Sequence, residues 1–253
     1  LVANRFRDRK VFIAGDAAHL WVPYAGYGMN AGIAAAMNPS WLLAARLQGW
    51  APEAMLDAYE AERQPITEQV SRFAMDHAAK MIKARRAVPP NIEADDTEGA
   101  AARAAYGQEA YELNVQQFCC AGLNFGYFYS GSPLIVADDE APPAYTMGGF
   151  TESTVPGCRA PHFWLADGRS VFDAFGPGYT LLRLNTQTDV GPLVQAAATR
   201  QIPLVVMDVQ ARGPVPAAYR HALVLCRADQ HVAWRGDSLP ADADALVRQL
   251  SGH

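Results

Sequence analysis

The most constraining feature of this sequence is a short apolar run that ends at a Gly-Asp pair, followed by glycines and an alanine-rich segment. The run Val11–Ala14 predicts a strand buried on both faces. From Met29 to Ala44, apolar side chains then recur every three or four residues, which predicts a helix. Pro39 is expected to kink this helix or to end its first part. The pattern therefore predicts a strand, a loop and a helix start grouped at one end of a strand.

The loop carries residue types suited to ligand contact. Gly15 lets a ligand approach the backbone at the strand end, and Asp16 offers a hydrogen-bond acceptor to a polyhydroxyl group. Gly26 and Gly28 let the chain turn and direct free N–H groups outward, where the helix dipole adds positive charge. Such an arrangement favours a ring that becomes negative on reduction. Taken alone, each of these residues more often belongs to an ordinary turn, and His19 is more often a core or loop-capping histidine. The hypothesis of a ligand site therefore depends on the spacing of these residues taken together.

The rest of the first 155 residues is predicted to be helical and then irregular. Residues 87–99 contain Pro-Pro, Asp-Asp and Gly without periodicity, which indicates an exposed loop. The other predicted elements are a helix from near Pro52 to about Arg86, a helix over Ala100–Gln117, and an irregular arm over 123–150 with one strand at Leu134–Ala137.

After Pro156 the pattern changes to short strands with helices between them. The order of these elements predicts a compact α/β sandwich. Trp164, Tyr179 and Trp234 belong either to its core or to an interface, and the core is favoured because large aromatic side chains are usually mostly buried. A domain boundary near 155 follows, which divides the chain into 1–86, 87–155 and 156–253. The predicted strands are His162–Leu165, Tyr179–Leu184, Leu204–Asp208, Ala222–Cys226 and His231–Trp234, and the predicted helices are Val190–Thr199 and Ala241–Leu250.

Composition narrows the classes of function. The net charge of −5 disfavours non-specific binding of nucleic acid. The sequence has no 18-residue apolar span and no signal peptide, so we expect no membrane span and a cytoplasmic location. Its four cysteines form no CxxC pair, which predicts reduced thiols and no metal site. The chain begins at Leu1 just before the predicted strand, so we expect it to be part of something longer.

The segment Arg5–His19 closely resembles the second FAD motif of the class A flavoprotein aromatic monooxygenases. Residues 131–253 extend the resemblance to the phenol-hydroxylase-like branch, which ends in a thioredoxin-like domain. The matching pieces in the first part are Pro23, Gly28-Met29-Asn30, Gly32, Asn38, Trp41 and Tyr59-Glu60-Ala61-Glu62-Arg63-Gln64-Pro65.

The resemblance implies a fold and a set of cofactor contacts. The fold is α/β, or α+β overall: a partial, mostly helical FAD-binding region followed by a thioredoxin-like sandwich. Asp16 is expected to bind the ribityl chain, Gly28–Asn30 to offer backbone contacts to the pyrimidine side of the ring, and Pro23 to lie beside the ring. No residue of this chain is expected to be catalytic or to bind a metal. The expected cofactor-binding residues are Gly15, Asp16, Pro23, Gly26, Gly28, Met29 and Asn30.

The implied activity is hydroxylation of a phenolic or related aromatic substrate with FAD, NAD(P)H and O₂. The family's GxGxxG unit, which holds the ADP half of FAD, is not in this sequence. We therefore expect an N-terminal half that this chain lacks, and little activity or tight FAD binding by the chain alone. The thioredoxin-like domain is expected to be structural, with contact in a homodimer as one option.

Two other hypotheses remain open. Tyr27, Ala35 and Pro39 depart from the family pattern, which slightly favours a non-catalytic binding or dimerisation module with a vestigial flavin motif. Retention of Asp16 and of Gly28-Met29-Asn30 argues against it. A thiol-redox protein is disfavoured by the lack of CxxC.

Overall fold

The computed structural model describes residues 1–21 and 26–253, without the side chain of Gln116. Its first part is mostly helical. Shorter turns of 3₁₀ helix cover Gly15–Ala17, Glu53–Asp57 and Val171–Ala174, and one π-helical turn covers Gly122–Gly126. The longer elements are an antiparallel hairpin of β1 (Arg7–Asp8) and β2 (Val11–Phe12), then α1 (Tyr27–Leu47), α2 (Ala58–Arg86) and α3 (Thr97–Phe118).

The β2 strand is shorter and more exposed than predicted. It has two residues, and Val11 is 64% exposed. The inner face of the hairpin packs on α2, where the rings of Phe6 and Phe12 lie 6.0 and 5.9 Å from that of Tyr59. The prediction of a strand buried on both faces is wrong for the described residues, because the hairpin packs on one face only.

Two prolines lie inside continuous helices. Pro39 does not end α1, which runs without interruption to Leu47. A proline removes one backbone hydrogen bond, and here the loss is offset by burial of Leu42 and Ala45 just beyond it. In α2 the helix likewise continues through Pro65, although its predicted start near Pro52 is a 3₁₀ turn that precedes Ala58.

The third helix starts three residues earlier than predicted. Asp96 is its N-cap, and the Asp96 carboxylate accepts a hydrogen bond of 2.7 Å from the Gly99 backbone N–H. Such a cap satisfies one of the free donors of the first turn and sets where the helix begins.

Two predicted strands are wrong. The segment Leu134–Ala137 is irregular. It contacts the sheet through a backbone hydrogen bond of 2.8 Å, which the Val136 N–H donates to the Ala233 carbonyl. His162–Leu165 forms two isolated bridges, Trp164 with Ser170 and Leu165 with Ala211. Both segments are apolar enough for a strand, yet each packs beside the sheet instead of joining its ladder.

The C-terminal region confirms the expected sandwich. Its elements are β3 (Tyr179–Arg183), α4 (Gly191–Thr199), β4 (Leu204–Asp208), β5 (Leu223–Arg227), β6 (Val232–Gly236) and α5 (Ala243–Leu250). The strands lie in the order β4-β3-β5-β6, with β3 and β4 parallel and the other neighbours antiparallel. This is the thioredoxin-like arrangement of one mixed sheet with helices.

The sheet separates two apolar clusters, because neighbouring side chains of a strand point to opposite faces. Leu181 belongs to the larger cluster, and Leu182 to a smaller one. Tyr179 and Trp234 are buried as predicted. Trp164 is 56% exposed, so the prediction that it lies in the core is wrong. Its ring makes an edge contact with His162 at the outer side of the smaller cluster.

The larger cluster continues across the predicted boundary near 155. The Tyr179 ring of β3 lies 6.4 Å from those of both Trp41 and Trp50 in the helical region. Leu246 of α5 belongs to the same cluster as Leu42 of α1. The two regions therefore share one core, while the domain limits 1–86, 87–155 and 156–253 stay a prediction.

A fully buried ion pair also joins the two regions. The Arg227 guanidinium of β5 contacts Glu62 of α2 at 2.5 Å (Nη1–Oε1) and 2.9 Å (Nη2–Oε2), and both side chains are fully buried. Asp229 pairs with the same guanidinium at 2.5 Å. The Arg227 Cζ atom lies 4.7 Å from the centroid of the Trp41 ring. Two carboxylates and an aromatic ring thus stabilise one buried cation.

The described cysteines are free: Cys119 is exposed, whereas Cys120, Cys158 and Cys226 are buried. Burial raises the pKa of the Cys158 and Cys226 thiols, which disfavours thiolate chemistry at both. Among the described residues, no helix has the length and apolarity needed to cross a membrane.

We expect Glu62→Ala to lower the free energy of unfolding by about 3–5 kcal/mol, because it leaves part of a buried charge uncompensated. Glu68→Ala on the same helix is the control. Glu68 forms only an exposed pair with Arg72, so its loss should cost less than about 0.5 kcal/mol. Denaturant unfolding of both variants measures the difference, and equal midpoints would contradict the assignment.

Candidate functional site

The Gly-Asp turn, Gly15–Ala17, begins just after the hairpin. Gly15 has φ of +57°, in the left-handed region that favours glycine. Its carbonyl accepts hydrogen bonds from the N–H groups of Ala18 (2.9 Å) and His19 (3.0 Å), which closes the turn. The Asp16 side chain is exposed, and within the described ranges its carboxylate has no hydrogen-bond donor. Asp16 is therefore available to a ligand.

Helix α1 begins at Tyr27, two residues before the predicted start, with Gly26 as its N-cap at φ +69°. No side chain of the described residues caps this end. Because they lie in the first turn, the N–H groups of Gly28 and Met29 have no acceptor within the helix. Asn30 stands one position further, where the backbone N–H bonds within the helix. Its side-chain Nδ2 donates to the Gly26 carbonyl at 3.0 Å. Backbone donors at this end thus come from Gly28 and Met29 more than from Asn30.

The structure places the Gly-Asp turn against the first turns of α1. A Cβ atom added to Gly32 would lie 3.6 Å from the Gly15 Cα atom. Gly28 lies one helical turn earlier on the same face, and a Cβ there would meet no atom of the described residues within 4 Å. The same holds for Gly15. Asp16 and the free end of α1 thus border a space that a ligand can enter.

Of the seven predicted cofactor-binding residues, six are described and lie at this junction: Gly15, Asp16, Gly26, Gly28, Met29 and Asn30. Pro23 lies outside the described residues. Their assignment to a flavin stays a prediction. Tyr27, a departure from the family pattern, turns away from the junction: it is buried, with its ring 6.0 Å from that of Phe73 on α2.

His19 fits the core-histidine interpretation. It is buried, and its ring stacks on Trp21 with centroids 4.1 Å apart. Burial lowers its pKa, which favours the neutral imidazole.

Helix α2 holds both parts of the junction, which the sequence did not predict. The Tyr59 hydroxyl donates to the Ile13 carbonyl at 2.7 Å, two residues before the Gly-Asp turn. Glu60 accepts hydrogen bonds from the N–H groups of Phe6 (2.7 Å) and Arg7 (3.1 Å). Glu62 accepts one from Asn38 Nδ2 of α1 at 2.7 Å. These three side chains of one helix fix the hairpin, the strand end and α1 relative to one another.

The sequence contained a hint of this arrangement. Arg227 follows four apolar residues of a strand, and a charge in such a strand requires a buried partner. Glu62, on a helix that also buries Ile66 and Val70, is the corresponding acid.

Comparison with known proteins agrees with this organisation. A model described as the FAD binding domain matches residues 1–74, and one described as the C-terminal region of aromatic-ring hydroxylases matches residues 153–252. Together they cover more than half of the chain. The two ends of the chain are thus similar to an FAD binding domain and to the C-terminal region of aromatic-ring hydroxylases. The chain matches the C-terminal part of its relatives.

Two relatives and one solved structure show the extent of the similarity. The FAD-dependent monooxygenase apdD of Emericella nidulans is 34% identical, over 96% of this chain and 41% of its own length. Phenol 2-monooxygenase of Pseudomonas sp. is 30% identical, over 99% and 46%. The rebeccamycin biosynthetic enzyme RebC, in a structure with reduced flavin, superposes with a TM-score of 0.87 at 37% identity, over 99% and 46%. The chain spans under half the length of the relatives it matches.

We expect Gly28→Ala, made in the full-length gene product, to separate stability from cofactor binding. The helix should become more stable, by up to about 1 kcal/mol. The added methyl group would occupy the space beside the Gly-Asp turn and weaken retention of FAD at least fivefold. Thermal melting and the flavin absorbance of the purified protein measure the two effects.

Gly107→Ala is the matched control, because Gly107 is also helical, in α3, and a Cβ there also meets nothing within 4 Å. It should give a similar gain in stability and leave FAD retention unchanged. Equal FAD retention by the two variants would argue against a ligand at the junction.

Proposed function

We propose that this chain is the flavin-contacting and C-terminal part of a monooxygenase that hydroxylates a phenolic or related aromatic substrate with FAD, NAD(P)H and O₂. The observation that carries the proposal is the junction itself. Among the described residues, the Asp16 carboxylate has no hydrogen-bond donor, and it borders the same space as the first-turn N–H groups of Gly28 and Met29. This matches the two chemical needs of the flavin half of FAD, a polyol chain and a reducible ring.

The residues present fit FAD. Asp16 would accept hydrogen bonds from ribityl hydroxyl groups. Gly28 and Met29 would donate backbone N–H groups to the pyrimidine edge, and the absence of a side chain at Gly28 lets a flat ring approach. FAD, when bound, supplies the hydride-accepting and oxygen-activating chemistry.

The electrostatic contribution of the chain is the stabilisation of negative charge on that ring. Each N–H bond to a charged acceptor is worth about 1.5–3 kcal/mol. The dipole of α1 adds about 0.3–2 kcal/mol. Such fixed donors need no reorganisation when the charge develops.

An N-terminal half would complete the site. One face of α1 exposes Met29, Ile33 and Met37, and Val11 of β2 is also exposed. Apolar side chains grouped in this way mark a surface that another part of a protein covers. The relatives are about twice as long as this chain. We propose that a preceding half holds the ADP part of FAD and covers this face.

Two finer proposals follow from the rest of the chain. Four free cysteines fit a reducing compartment such as the cytoplasm. The exposed Trp164 on the C-terminal domain fits a contact between subunits, since aromatic residues are enriched at interfaces.

Expression of the full-length gene product tests the activity. We expect a yellow protein whose NAD(P)H oxidation rises when phenols are added, with one oxygen atom of O₂ recovered in the product. Oxidation of NADH and of NADPH should be compared with and without phenol. A colourless protein would overturn the proposal, and so would one whose rate of NAD(P)H oxidation is not raised by any phenol tested.

The Asp16→Ala variant of the same protein tests the junction. Loss of a hydrogen bond to a charged acceptor should weaken FAD binding about tenfold or more. Asp8→Ala is the control, because Asp8 is an exposed carboxylate of the hairpin that pairs only with Arg5. FAD titration of the two apoproteins gives the dissociation constants.

The same pair of variants addresses the alternative, a non-catalytic binding or dimerisation module. The buried position of Tyr27 and Ala35 in the first turns of α1 shows that two departures from the family pattern serve packing, which leaves the module hypothesis compatible with the fold. Unchanged FAD binding in Asp16→Ala would support the module and contradict the enzyme.

A further inference from the structure

Helix α1 contains a local weak point near its middle. Pro39 has no backbone N–H, so the helix lacks the hydrogen bond to the Ala35 carbonyl at this position. The next residue adds a second irregularity, because the Ser40 hydroxyl donates to the Ala36 carbonyl at 2.6 Å, a local contact that often bends helices. The part of α1 before Pro39, residues 27–38, can therefore change its direction relative to the part that follows.

The two parts of α1 differ in how firmly they are held. The part after Pro39 buries three side chains in the larger apolar cluster: Trp41, Leu42 and Ala45. The part before it leaves three large apolar side chains more than half exposed: Met29, Ile33 and Met37. The buried residues of this first part are Tyr27, Ala35 and Asn38. Asn38 stands directly at the weak point, so its contacts bear on the direction of the first part.

Asn38 is tied to a fixed point of α2. Its Nδ2 atom donates to Glu62 Oε2 at 2.7 Å and lies 3.4 Å from the Tyr129 hydroxyl oxygen. Glu62 is itself held in place, because its carboxylate accepts hydrogen bonds from Arg227 of the C-terminal sheet and from Ser132 of the arm. The first part of α1 is thus connected, through one buried carboxylate, to the C-terminal domain.

We propose that Asn38 is a positioning residue. Its hydrogen bond to Glu62 aims the first part of α1, and with it the N–H groups of Gly28 and Met29, at the cofactor. The inference rests on the proposed function, which places the flavin ring at this end of the helix. Gly28 lies ten residues before Asn38, about 15 Å along a helix axis. A rotation of about 10° at Pro39 would therefore move the helix end by about 2–3 Å, enough to break a hydrogen bond.

The chemical consequence concerns the two redox forms of the flavin. A reduced ring carries negative charge, and hydrogen bonds to a charged acceptor are stronger than those to a neutral one. A misdirected helix end therefore weakens the binding of reduced FAD more than the binding of oxidised FAD. The midpoint potential of the bound flavin reports the ratio of the two dissociation constants, and a tenfold change in that ratio corresponds to about 30 mV for a two-electron couple.

The Asn38→Ala variant of the full-length gene product tests this role. We expect the dissociation constant of reduced FAD to rise about tenfold more than that of oxidised FAD, so that the midpoint potential falls by about 30 mV. Potentiometric titration of the purified flavoprotein measures the shift. If this variant does not fold, Asn38→Gln takes its place. Its longer side chain keeps a donor but displaces α1, so it should lower the potential in the same way.

The Pro39→Ala exchange provides the decisive comparison, because it restores the missing backbone hydrogen bond. A helix without its weak point should keep its direction without help from Asn38. We therefore expect the double variant Asn38→Ala/Pro39→Ala to recover a ratio of dissociation constants within about twofold of the wild type, or about 9 mV. A merely structural role of Asn38 predicts no such recovery, and its failure would contradict the inference.

Ser132→Ala is the matched control. It removes another donor from the same Glu62 carboxylate, the Ser132 hydroxyl at 2.5 Å from Oε1, and leaves Asn38 in place. It should lower the melting temperature and leave the ratio of the dissociation constants within about twofold of the wild type. An equal fall in potential in Ser132→Ala and Asn38→Ala would overturn the inference, and so would an unchanged potential in Asn38→Ala.

Failure of the two proposals can be told apart by a measurement that needs no flavin. In the FAD-free full-length protein, Asn38→Ala should make amide hydrogen exchange about fivefold or more faster at residues 27–38 and leave it unchanged at residues 41–47. The double variant should return to the wild-type rate. A colourless protein with this pattern would remove the flavin activity and keep the role of Asn38 in holding α1. A yellow, phenol-stimulated enzyme with neither the pattern nor the potential shift would remove the role of Asn38 alone.

Discussion

The carboxylate of Glu62 is the interaction on which the rest of this structure depends. Three separate segments place a donor on its two oxygens: α1 through Asn38, the arm through Ser132, and β5 through Arg227. The Arg227 guanidinium also donates to Asp229, just after β5. Burial of this ion pair carries a large desolvation free energy, and the pair stabilises the fold only when every donor is in place. It therefore specifies one arrangement of the helical region against the C-terminal sheet.

The proposed cofactor site follows from that arrangement. The Gly-Asp turn and the start of α1 are short elements that could adopt several relative positions by themselves. Helix α2 removes this freedom, because Tyr59 holds the chain before the turn and Glu62 holds α1. A rigid scaffold behind mobile or strained site residues is the usual way to keep a binding geometry fixed. The sheet contributes through Arg227 although it lies apart from the junction.

Sequence patterns predicted local features well and distant ones poorly. The spacing from Gly15 to Asn30 indicated the turn and helix start, and short apolar runs with turns and helices between them indicated β3 to β6. The strand predicted at Leu134–Ala137 is an apolar loop in the structure. Periodicity could not distinguish the two, because it does not show whether a neighbouring strand is present to pair with the segment. The charge at the end of the apolar strand β5 indicated that Arg227 has a buried partner, but no local pattern identified Glu62, which lies 165 positions away.

The contact of Tyr179 with Trp41 and Trp50 has a consequence for how this polypeptide can be divided. Because these rings belong to one apolar cluster, cutting the chain ahead of Pro156 would not release an autonomous thioredoxin-like unit. The freed sheet would expose to water the apolar side chains of its helix-facing side, and Arg227 would keep Asp229 but lose Glu62. Transfer of this C-terminal region between enzymes during evolution would therefore also require transfer of the helices that pack against its sheet.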